Sequence, residues 1–164
     1  MRFEVLYMKL LFKQRFFSLL DSFDVYDENG NTVYTVEGQF SIGHCLKIYN
    51  AADQEIGTVK QKLLTFLPKF EIYLGNQYVG CIEKEFALFT PTYHIDYNGW
   101  RIEGDIFQWD YQIVDGNGKE IARLSKELLN WTDTYSLTIH NPANALPVLM
   151  VVLAIDAEKC SNSN

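Results

Sequence analysis

Glu103 and Asp105 fall two apart in one stretch, and Glu83 and Glu85 repeat that spacing some twenty residues earlier. Residues two apart on a strand share a face, so each pair would present two carboxylates side by side. Such carboxylates could hold a hard cation through oxygen or divide their pKa values for acid–base work. The competing reading is a solvated outer strand face. His44 and Cys45 are a nitrogen and a sulfur donor in sequence, but adjacent strand residues point to opposite faces and a shared metal is geometrically poor. His94 and His140 stand without a second donor at ligand spacing and read as structural. No Gly-rich nucleotide loop, Walker lysine, His-Glu-x-x-His or Gly-x-Ser-x-Gly is present, so the sequence supplies no catalytic motif and implies no cofactor.

A second group carries charge rather than chemistry. Lys9, Lys13 and Arg15 stand among Leu and Phe, and Lys60, Lys62 and Lys69 do the same between Gly57 and Phe70. Basic groups interleaved with large apolar ones can engage anionic lipid headgroups at about 1 kcal/mol per charge. The bland alternative is a strand that puts Lys outside and Leu or Phe inside. Residues 1–84 hold 9 basic against 10 acidic side chains and residues 85–164 hold 5 against 11, for a net charge of −7. An acidic balance of this kind argues against nucleic acid, whose recognition needs a basic footprint.

These residues are placed by a repeat. Residues 23–36, 46–59, 70–82, 93–106 and 111–124 align on one template: an alternating arm rich in aromatic and β-branched residues, a turn of Asn, Asp and Gly, and a second arm. Each reads as a β-hairpin. The second arms continue with a polar trio and a bulky apolar run, as in Lys60-Gln61-Lys62-Leu63-Leu64 and Glu83-Lys84-Glu85-Phe86. Residues 12–19 match a second arm without a first, and residues 135–139 a first without a second. Pairing these orphans makes a sixth hairpin and predicts an all-β, twelve-stranded antiparallel barrel that leaves no free edge.

About eight strands already enclose a space that side chains can fill, so a larger barrel needs a plug. The segment 145–157 (ALPVLMVVLAIDA) is apolar on all faces until Asp156, the mark of a helix buried all round. Asn144 is expected to cap it, with Pro147 in the first turn. The apolar run 145–155 is too short to cross a bilayer, which takes about 20 residues. The 164 residues fit one domain, expected over 8–158, with 1–7 and 159–164 as terminal extensions. Cys45, Cys81 and Cys160 form no Cys-x-x-Cys pair, and acidic and basic residues interrupt the N-terminal apolar stretch. Both features point to a reduced, cytoplasmic setting, in which the sequon at Asn130 would go unused.

With the repeat in place, the chain resembles the LURP-one-related family, which has the tubby C-terminal-like fold. The residues that carry the resemblance are Asp27-Glu28-Asn29-Gly30-Asn31, Val59-Lys60-Gln61-Lys62, Glu103-Gly104-Asp105, Thr132-Asp133-Thr134-Tyr135 and Leu153-Ala154-Ile155-Asp156. They span roughly Met8 to Asp156. The resemblance implies a twelve-stranded barrel around a hydrophobic C-terminal helix. Tubby proteins bind membrane phosphoinositides and the related scramblases act at membranes, but no site residue of either matches here. The expected function is that of a non-catalytic binding or scaffold domain that contacts a peripheral membrane lipid or a protein partner.

Overall fold

The computed structural model describes residues 6–13, 22–127 and 134–161. Twelve strands run in chain order: β1 (Met8–Lys13), β2 (Ser22–Tyr26), β3 (Thr32–Gly38), β4 (Cys45–Asn50), β5 (Glu55–Gln61), β6 (Lys69–Leu74), β7 (Gln77–Glu85), β8 (Thr92–Asp96), β9 (Arg101–Asp105), β10 (Asp110–Val114), β11 (Glu120–Glu127) and β12 (Thr134–Ile139). A 3-10 turn (Pro142–Asn144) leads into a single helix, α1 (Ala145–Ser161). Each strand is hydrogen-bonded to its chain neighbours, and β1 to β12, in one closed barrel.

The hairpins turn in a common way. Asp27 Oδ1 accepts from the N–H of Asn29 and of Asn31, both at 2.9 Å. Asn50 repeats this on Ala52 and Gln54, and Asp115 on Asn117 and Lys119. The short side chain thus satisfies turn amides that would otherwise go unpaired, which is why Asp and Asn recur at that position. A register shift precedes the turn in four of the hairpins, at Val25/Tyr26, Ile48/Tyr49, Ile72/Tyr73 and Ile113/Val114. Gly30 and Gly118 complete two of these bulged turns with φ of +81°.

Closure joins the two orphan arms. Met8 faces Ile139 and Phe12 faces Tyr135, with Lys13 opposite Thr134. The pairing strand therefore begins four residues before Phe12; residues 14–19 of the expected arm lie outside the described residues, as do Arg15 and the Asn130 sequon.

Alternation aims two rings of side chains inward. Phe23, Leu46, Phe70, Tyr93, Tyr111 and Tyr135 form one, and Val25, Ile48, Ile72, Ile95, Ile113 and Leu137 the other, all buried. Helix α1 fills the space they enclose, with residues 147–158 buried throughout. Asn141 caps the 3-10 turn that leads into α1, its side chain accepting from the N–H of Ala143 at 3.0 Å, and Asn144, the expected cap, is the last residue of that turn. The helix runs past residue 158 and continues to Ser161.

Because successive connections alternate ends, the five hairpin turns and the β12–α1 connection lie at one end of the barrel, termed the turn end. The loops between hairpins lie at the other, the loop end. Helix α1 enters at the turn end and runs back toward the loop end.

Candidate functional site

The C-terminal turns of α1 bring two acids into the lumen near the loop end. Glu158, only 2% exposed, receives Lys84 Nζ at 2.7 Å from the inner face of β7 and the Tyr93 hydroxyl from β8. Burial, and then this contact with Glu158, push the Tyr93 phenol far above its ordinary range. Asp156 is buried beside Tyr111, and neither Asp156 Oδ2 nor the Tyr111 hydroxyl has a hydrogen-bond partner among the described residues. Loss of hydration pushes the Asp156 carboxyl up to about 8, against a weaker opposing pull from Lys159. Lys159 itself donates to the carbonyls of Ile106 at 2.7 Å and Phe107 at 3.4 Å and lies 3.9 Å over the Trp109 ring. It ties the helix end, where carbonyls carry partial negative charge, to the β9–β10 loop.

Outside this polar floor, the loops of the loop end carry large apolar side chains, and the exposed carboxylates Glu85, Asp105 and Asp110 flank two of them at the strand ends. The strands stop within the polar trios, β5 at Gln61 and β7 at Glu85, and the apolar runs that follow leave the sheet. Expected as inward-facing strand, they form loop tips instead: Leu64 and Phe66 on 62–68 and Phe86, Leu88 and Phe89 on 86–91 stand in solvent. Phe40 and Ile42 on 39–44 and Phe107 on 106–109 do the same. Exposure of 95% at Phe40, 97% at Phe66 and 93% at Phe89 is that of side chains with almost no protein neighbour. Leu64 also holds φ at +60°, a left-handed conformation uncommon for a bulky residue. None of these four loops contains an Asp or Glu, whereas the turn end carries Asp27, Glu28, Asp53 and Asp115.

The carboxylate pairs do not converge. Glu83 lies 3.6 Å from Lys69, and Glu103 is held by Arg101 at 3.0 Å and by Gln112 at 3.2 Å. Asp105 accepts from the N–H of Gln108 at 3.1 Å. Glu83 and Glu85 line an open groove of about 370 Å³ with Leu67, Lys84, Phe86 and His94, but Glu103 and Asp105 are not on it. Among the described residues no three His, Cys, Asp or Glu side chains gather as metal ligands.

The lysines are also dispersed. Lys9 is paired with Glu127 at 2.9 Å, and Lys62 stands 3.9 Å from Glu71. Lys60 faces Glu71 across the β5–β6 ladder. Lys9 and Lys13 are four strands round the barrel from Lys60, about 19 Å at the usual strand spacing. The expected basic patch is therefore two separated groups, largely matched by acids.

His44 is half-buried against the Phe70 ring at 6.3 Å, and burial lowers its pKa. Burial raises that of the Cys45 thiol. His140 meets Glu120 at 2.8 Å, while His94 lies exposed in the groove. Cys81 is buried and in no disulfide, and the side chain of Cys160 lies outside the described residues. No described helix is long and apolar enough to cross a membrane.

The chain is 30% identical over 150 residues to the uncharacterised protein YxjI of Bacillus subtilis (strain 168), covering 91% of this chain and 92% of that protein. A crystal structure of a protein from Arabidopsis thaliana superposes with a TM-score of 0.68 at 12% identity, over 93% of this chain and 91% of that one, a likeness of fold. The sequence model of the LURP-one-related family matches residues 8–156, the span from the first strand of the barrel to the buried carboxyl of its helix. The chain belongs to the LURP-one-related family.

Proposed function

We propose that this is a non-catalytic binding domain that meets a membrane lipid or a protein partner through the loop end of its barrel. The observation that carries the reading is the set of solvent-facing apolar side chains on four acid-free loops at one end. Exposed apolar groups gathered in one region mark a contact surface, because scattered ones would need no explanation. The lumen is occupied by α1, whose residues 147–158 are buried against the inner faces of the strands. Dispersed, ion-paired carboxylates favour this reading over a carboxylate-based enzyme. The net charge of −7 disfavours nucleic acid, and a sequence with three cysteines and no Cys-x-x-Cys pair suits a cytoplasmic setting.

A photo-crosslinking amino acid placed in living cells at Leu64, and separately at Asn117 in a hairpin turn, tests it. Adducts should form from position 64 and not from 117. Equal labelling from both ends, or labelling from 117 alone, would remove the loop end from its role.

A further inference from the structure

The apolar loop end has a geometry that distinguishes between occupants. Protein interfaces present closely packed patches with half-buried anchors in pockets. Here Phe40, Leu64 and Phe66 stand on separate tips at 95%, 105% and 97% exposure, while Leu88 and Phe89, at 81% and 93%, edge a shallow open groove of about 200 Å³ with Phe107. Tips of this kind suit a fluid phase that flows around each one. The three loops 39–44, 62–68 and 86–91 follow one another round the barrel, so their tips form one arc rather than isolated spots.

Charge agrees with the geometry. A chain of net −7 keeps Asp and Glu out of these loops altogether. Lys62, whose side chain is 53% exposed, stands directly before Leu63 and Leu64, where its stem can follow the apolar surface while the ammonium stays in water. The hairpin turns of the opposite end carry Asp27, Glu28, Asp53 and Asp115 against Lys119, which makes that end the poorer match for an anionic leaflet.

We propose that the loop end seats on a lipid–water interface by inserting Phe40, Ile42, Leu64, Phe66, Leu88 and Phe89 among the acyl-chain margins. This rests on the loop end being the contact surface and adds the occupant and the mode of contact. Attachment is apolar first, with the lysines secondary, because Lys62 and Lys69 already have carboxylate partners.

The test is flotation of the full chain with vesicles of phosphatidylcholine alone and with added phosphatidylserine, at low and high salt. The protein should float with both and keep floating at high salt, since screening weakens charge attraction and not apolar insertion. Phe66→Ser should lower partitioning about tenfold, and the combined Phe40→Ser, Leu64→Ser, Phe66→Ser, Phe89→Ser variant should stay with the unbound fraction. Asn117→Ser at the turn end should change nothing. Thermal melts should match the parent, because these side chains are exposed. Failure to float with either vesicle overturns the proposal, as does flotation indifferent to the serine variants. Flotation only with phosphatidylserine, abolished by Lys60→Glu and Lys62→Glu but not by Phe66→Ser, also overturns it in favour of headgroup attraction. Absence of flotation together with protein adducts from position 64 would leave the loop end as a binding surface and sink only the lipid assignment; adducts from 117 alone would sink both.

Discussion

Asp156 is where the helix meets an unfavourable environment. Its carboxyl is pushed up to about 8 from an ordinary 3.8, so it is neutral in the folded protein at pH 7 and ionised in the unfolded chain. Between those values the folded state binds the extra proton, and stability falls as pH rises, by at most about 1.4 kcal/mol per pH unit. Below about 4 both states are protonated and the contribution is flat; above about 8 both are ionised and the loss is complete. Asp156→Asn removes the titration. The variant and parent should melt alike near pH 4 and diverge steadily toward pH 8, with the variant more stable. Urea midpoints measured across that range check this, and parallel curves would show that Asp156 is hydrated. The end of the apolar run at Asp156 was legible in the sequence, but the burial of Glu158 was not. Its partners Lys84 and Tyr93 lie 74 and 65 positions away, and an acid near a helix end looks like a solvated one.

Strand β5 comes close to the helix at Gly57. A methyl group there would lie 3.3 Å from Met150 Sδ, 3.3 Å from the Tyr73 carbonyl oxygen and 3.4 Å from Leu146 Cδ1. The larger side chain of Gly57→Val has nowhere to go except into the helix. Valine is the better strand residue, so propensity alone would stabilise the variant; overpacking should win and cost about 1 to 3 kcal/mol. Met150→Ala in the same chain should restore part of the loss, and a double-mutant cycle on denaturation midpoints measures the coupling. A neutral Gly57→Val would mean that α1 does not press on β5. The hairpins themselves were legible, because alternation and Asp, Asn and Gly turns are local signals. Nothing local marked the apolar runs after Gln61 and Glu85 as loops: Leu63-Leu64 and Phe86 have the composition of buried strand, and only the closure of the barrel decides that the sheet ends before them.

At the scale of the molecule, every hairpin presents its inner face to the same helix, so no hairpin owns a separate core. The β1–β12 seam adds a second global dependence, since it joins residues more than a hundred positions apart. Both argue for a single cooperative transition in the full chain, in which far-UV circular dichroism and tryptophan fluorescence share one midpoint. Ending the chain after Asn141 removes α1 and leaves the rings from Phe23 to Tyr135 and from Val25 to Leu137 facing an empty lumen, which neither water nor a twelve-stranded wall can fill favourably. That truncation should be insoluble or lack a cooperative transition. Insolubility alone could follow from any damaged fold, so residues 142–164 should also be co-expressed as a separate chain. Recovery of soluble barrel with the segment bound would establish α1 as the shared core, whereas a truncation that is soluble and unfolds cooperatively by itself would show that the strands pack without it.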